Sequence, residues 1–142
     1  MIGIKAKKEI ENKLDELVGN SQNLIDETQV SNSRLEKTQF RNLLDLASSS
    51  DSFKVIENFI LYQMGRDTKR ESWSRSSDGK TFGDLLIDKL KSLEEKAKEI
   101  ANKTKEDTKA IHLELIRLYL GFANRYFTFK KKDEKKAAGG GV

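Results

Sequence analysis

The sequence predicts an all-α protein, a compact single-domain bundle of about five helices, on three observations. The chain of 142 residues contains no proline, the residue that most often interrupts a helix. It is rich in Lys, Glu, Leu and Ala, all of which favour helices. No stretch keeps the two-residue alternation of a half-buried strand, whereas apolar residues recur at three- and four-residue spacing along most of the length. A chain this long is expected to form one domain, with residues 1–129 as its body and 130–142 as a basic, glycine-ending flexible tail.

The elements follow in order. In residues 5–19, Ile10, Leu14, Leu17 and Val18 keep helical spacing until Gly19-Asn20-Ser21 breaks it. Residues 21–33 are polar, weakly periodic around Leu24 and Ile25, and read as a short helix or a loop. Ser33 and Glu36 then form a capping-box pattern ahead of Phe40, Leu43, Leu44 and Ala47, the stripe of a second helix. The serines and Asp51 of Ser48–Ser52 end that helix and cap a third. There Phe53, Val55, Ile56, Phe59, Ile60 and Met64 cover more than half the circumference, which places the third helix inside the bundle. From Arg66 to Lys80 five bases, three acids and the single tryptophan, Trp73, show no periodicity. This reads as a long loop, either functional or disordered. Thr81 caps a fourth helix striped by Phe82, Leu85, Leu86, Leu90, Leu93, Ala97 and Ile100. The last helix, over 107–129, is apolar all round except for one strip holding Glu114, Arg117, Gly121, Asn124 and Arg125. It is expected at the centre of the bundle.

Composition closes several classes of function. Without cysteine there is no disulfide, no thiolate metal site and no thiol nucleophile, and a cytoplasmic chain is expected. No apolar run approaches the roughly 18 residues of a membrane span, and the first residues lack a signal-peptide core. The one histidine, His112, falls on the apolar side of the last helix and reads as a core or interface residue. No zinc-binding helix, calcium loop or phosphate-cradling glycine loop is present. No enzyme activity, metal or cofactor is therefore expected.

Charge geometry remains. The net charge is +4, of which the run Lys130–Lys136 carries +3, so the body is nearly neutral. An anion-binding surface on the body must come from segregation of charge onto one face. Arg34, Lys37 and Arg41 follow helical spacing on the second helix, either as a phosphate-binding strip or as a solvated face. Arg66 follows Gly65 at the end of the third helix, where a cation suits the helix dipole and glycine suits a left-handed cap. Lys69, Arg70 and Arg75 surround Trp73, either as a basic patch with an aromatic that stacks on a base or as a disordered loop. Arg117 and Arg125, eight residues apart on the polar strip, either pair with carboxylates or meet a ligand, and pairing is the expectation.

Three segments resemble a known family. Thr38-Gln39-Phe40-Arg41-Asn42-Leu43-Leu44 is similar to the opening motif of the small subunits of type III CRISPR–Cas effector complexes, in particular the Csm-type. Ile56–Asp67, with Tyr62-Gln63-Met64-Gly65-Arg66 as its most specific part, resembles that family's helix ending in Y-x-x-G-R. Tyr119–Tyr126 resembles its C-terminal aromatic helix. The resemblance implies a non-catalytic helical subunit, present in several copies along the inner channel of a ribonucleoprotein. There it would contact the backbone of a guide RNA and its target RNA, beside the large subunit, the backbone subunits and further copies of itself. It points first to Arg41 and Arg66, then to Lys37, Lys54, Lys69 and Arg70, with Arg34 beside them. Two other readings compete: a helical protein–protein adaptor without RNA contact, and a helix-turn-helix DNA binder. The second is disfavoured because the third helix is too apolar to lie in a groove.

Overall fold

A computed structural model describes residues 2–140, with side chains through Lys131. Among them are six helices: α1 (Ile4–Glu11), α2 (Leu14–Thr28), α3 (Lys37–Ser49), α4 (Phe53–Arg66), α5 (Phe82–Thr104) and α6 (Thr108–Gly140). A 3-10 turn (Val30–Asn32) precedes α3, and a two-stranded hairpin, β1 (Ser76–Ser77) and β2 (Lys80–Thr81), precedes α5. The all-α class is as expected.

The N-terminal third differs from the sequence reading. The helix breaks at Asn12-Lys13, not at Gly19, and α2 runs through the polar stretch to Thr28. Leu17, Ser21, Leu24, Ile25 and Thr28 form its buried face. Ser21 and Thr28 can lie there because their hydroxyls donate to Val18 and Leu24 carbonyls one turn back, both at 2.8 Å. Two hydroxyl residues thus behave as apolar ones, and this hid the stripe.

Helix α3 starts later than the Ser33 pattern implies. Its N-cap is Glu36, whose side chain accepts from the Gln39 backbone while the Gln39 side chain accepts from the Glu36 N–H at 2.9 Å. The cause is Leu35, fully buried beside an equally buried Phe40. These are the two positions of a hydrophobic staple, so the chain must stay extended through Leu35. Ser33 instead turns its hydroxyl to the Val30 carbonyl.

Helix α6 is the central helix, as expected, packing on α2, α3 and α5. Its buried residues Ile111, Leu115, Ile116, Tyr119, Leu120, Ala123 and Phe127 fill the core, where Phe127 stacks on Phe40 with ring centroids 5.2 Å apart. His112 is buried too, with Nε2 2.9 Å from the Leu90 carbonyl and its ring against Phe53. Arg117 braces the end of α3: its guanidinium donates to the carbonyls of Ala47 and Ser50, both at 2.9 Å, with Asp51 at 3.6 Å. Those carbonyls have no partner within α3, and a cation there also opposes the negative helix end. The backbone of α6 stays helical to Gly140, through most of the segment read as a tail, whose side chains beyond Lys131 lie outside the described residues.

Helix α4 corrects the sequence reading most plainly. It packs on α3 and α5 at the edge of the bundle, not inside it. Only Ile56 and Ile60 are fully buried, while Val55, Leu61 and Tyr62 face outward.

Candidate nucleic-acid interface

The segment read as a long loop is ordered around Asp67 and Trp73. Asp67 ends α4, and its carboxylate accepts from three backbone N–H groups, those of Glu71 at 3.1 Å, Ser72 at 2.9 Å and Ser74 at 2.8 Å. Partial burial alone would raise the Asp67 carboxyl. The N–H groups of Ser74, Ser72 and Glu71 outweigh that and hold it below the ordinary carboxylate value. Ser74 Oγ in turn donates to the Met64 carbonyl at 2.9 Å, closing the end of α4.

Trp73 lies inside, 1 % exposed and tilted against Phe82 at 5.9 Å. It therefore cannot stack on a base, and this overturns the reading of Lys69, Arg70 and Arg75 as a patch around an exposed aromatic. The Gly83 N–H donates to the Trp73 carbonyl at 2.8 Å. A Cβ at Gly83 would overlap the Met64 sulfur and press on that carbonyl at 3.2 Å, so glycine is what lets α5 start against the loop. Beyond Trp73 the chain reverses through Asp78 and Gly79, both with positive φ (54° and 83°), between paired Ser77 and Lys80. That is the two-residue turn for which an Asp-Gly pair is the standard sequence signal.

This ordered loop brings several of the candidate cations together. The Arg34 N–H donates to the Glu71 carbonyl at 2.8 Å, tying the segment before α3 to the loop. Arg34, Arg66 and Lys69 line one shallow depression of about 270 Å³ together with the acids Glu36, Asp67 and Glu71. Arg34, Arg70 and Arg75 line a second beside it, of about 370 Å³. The acids in between are engaged: Asp67 holds the loop backbone, Glu36 caps α3, and Glu71 lies at 4.0 Å from Arg34 in an exposed and therefore weak pair. Arg75 donates to the Gln29 carbonyl at 3.3 Å. Arg70 holds φ at +56°, a left-handed conformation uncommon for arginine. Among the described residues Arg66, Lys69 and Arg70 form no ion pair. At the same edge Lys131 donates to the Ser33 carbonyl at 2.9 Å, so the lysine-rich run begins beside this face.

The other candidates lie elsewhere. Because α3 begins at Lys37, Arg34 is not on that helix, and only Lys37 and Arg41 share a face of it. Arg41 is exposed and lies roughly 160° around α3 from Gln39, which lines the first depression. Arg41 and Arg66, paired by the resemblance, therefore occupy different flanks. Lys54 stands near the start of α4, roughly 18 Å along the helix from Arg66, and is 3.8 Å from Glu57. Gly65 is not a left-handed cap: it is helical, and Asp67 with φ −82° ends the helix instead.

The sequence reading missed Asp67 as the organiser of the loop and Tyr62 as an exposed aromatic. Helical spacing puts Val55, Tyr62 and Arg66 within about 40° of one another, with Tyr62 roughly 120–160° around from Ile56 and Ile60, and that spacing would have found Tyr62. Among the described residues no helix is long and apolar enough to cross a membrane. Compared with known proteins, the chain matches no family model, no curated protein and no solved structure.

Proposed function

We propose that this chain is a non-catalytic RNA-contacting subunit, a small subunit of a type III CRISPR effector ribonucleoprotein, that holds a guide–target RNA duplex by its phosphate backbone. The observation that carries the reading is the convergence of Arg34, Arg66, Lys69 and Arg70, drawn from three separate segments, on one face, where they stand beside the carboxylates of Glu36, Asp67 and Glu71. Phosphate contact needs cations on a rigid frame and no base-edge code, because pairing with the guide supplies sequence specificity. Here α4, the Asp67 clamp and the Trp73 anchor provide the frame. A body of low net charge, with its clustered cations set among acids, suits a subunit that binds weakly alone and firmly as one of several in a row. The Y-x-x-G-R segment that carries the resemblance ends at this face, which supports the family assignment.

The adaptor reading draws on a different observation, the outward Val55, Leu61 and Tyr62 of α4. Recovery of the tagged chain from its native cell at moderate salt separates the two. Co-purifying short RNAs with a constant repeat-derived end, together with larger subunits, are expected. Protein partners recovered without RNA would favour the adaptor.

A further inference from the structure

Tyr62 is 59 % exposed on the outer face of α4, and the Arg66 guanidinium lies over its ring, 5.5 Å from the centroid. A helical side chain leans toward the N-terminus, over the turn before it, so the residues at positions 65 and 66 are the two that overhang Tyr62 from either side. Position 66 supplies an arginine. Position 65 supplies nothing, and nothing in the fold requires glycine there. Its φ is not positive, and a Cβ would meet no atom within 4 Å. Glycine also costs a helix stability relative to alanine. Its absent side chain leaves open space one turn from the exposed Tyr62, on the helix whose Arg66 reaches the depression shared with Arg34 and Lys69.

From this we infer that Tyr62, Gly65 and Arg66 form a stacking platform for one unpaired nucleobase, whose flanking phosphates lie on Arg66, Lys69 and Arg34. Aromatic rings beside cations bind single strands in this way, because every base presents a π-face. The inference rests on the RNA reading of the same surface and adds to it a site for an extruded or single-stranded nucleotide, where backbone contact alone would not distinguish paired from unpaired RNA.

The test measures binding of the full chain to a single-stranded RNA of about 12 nucleotides and to a duplex of the same length, each across a salt series. Tyr62→Ala is expected to weaken single-strand binding by roughly 5- to 100-fold. The slope against salt should stay unchanged, since no charge is removed. Tyr62→Phe should retain binding. Gly65→Leu, which keeps the ring and every charge, should reproduce the loss while circular dichroism stays at the parent level and the melting temperature is equal or higher, since leucine favours the helix that glycine weakens. Duplex binding should be unaffected by all three. Equal single-strand affinity for Tyr62→Ala, Gly65→Leu and the parent would overturn the platform and leave the backbone reading standing. So would a Tyr62→Ala effect confined to self-association or to a protein partner. Failure of the parent chain to bind either RNA at low salt would overturn both.

Discussion

Trp73 joins the loop to the core and does so without a hydrogen bond from its indole, since Nε1 has no acceptor among the described residues. Its value is therefore volume and contact with Phe82, not polarity. Trp73→Ala should destabilise the protein by about 3–5 kcal/mol in denaturant unfolding, the range for removing a buried aromatic. Trp73→Phe should cost markedly less, and while folded it should bind RNA like the parent. A selective loss of RNA binding by a stable Trp73→Phe protein would contradict the buried role. Residues whose chemistry matches their place were legible in the sequence: His112 on its apolar side, Thr81 as a cap, and Arg117 meeting an acid, whereas Arg125, expected to pair likewise, lies over the Phe122 ring and has no ion pair among the described residues. Ser21, Thr28 and Trp73 were not, because a hydroxyl bonded to its own helix and an indole among charges both carry a composition signal opposite to their burial.

At the scale of an element, the loop Asp67–Arg75 is a structure made by one carboxylate. Asp67 is held below its ordinary value, so the unfolded chain binds this proton at a higher pH than the folded one does. Its contribution is complete above about pH 4 and is lost as the pH falls through the lower folded value. Asp67→Asn should accordingly be less stable at pH 6, by about 2 kcal/mol, the order of a charge-assisted hydrogen bond. Its unfolding midpoint should also decline less than the parent's between pH 6 and pH 2.5. Parallel declines would show that the clamp is not what couples this loop to pH. The helices with one clean stripe, α3 and α5, were readable from periodicity. The start of α3 was not, because the buried pair Leu35 and Phe40 overrides the local Ser33 signal. The hairpin carried its Asp78-Gly79 signal in plain view, masked by the surrounding charges. Helix α4 misled for a physical reason: a broad apolar circumference marks either a buried helix or one with an outer face adapted for contact, and sequence spacing does not separate the two.

At the scale of the molecule, the central α6 fixes α2, α3 and α5, and α4 is carried on α3 and α5 with its outer face open. The cluster of cations is assembled only by folding. Arg34 comes from the segment before α3, Arg66 from α4, and Lys69 and Arg70 from the loop, which a nearly neutral chain does not reveal by net charge. The resemblance joined Arg41 to Arg66, which the helix geometry separates.

The most direct test of this face is the salt dependence of guide–target duplex binding by the parent and by the triple variant Arg66→Gln, Lys69→Gln, Arg70→Asn. Asparagine accepts the left-handed backbone at position 70, so the change removes charge without adding strain. The slope of log K against log salt should fall by about 2 to 3, as three phosphate contacts are lost, with an unchanged melting temperature. An unaltered slope and affinity in the triple variant, with Arg41→Gln alone producing the loss, would move the contact to the other flank of α3 and contradict the assignment of this face.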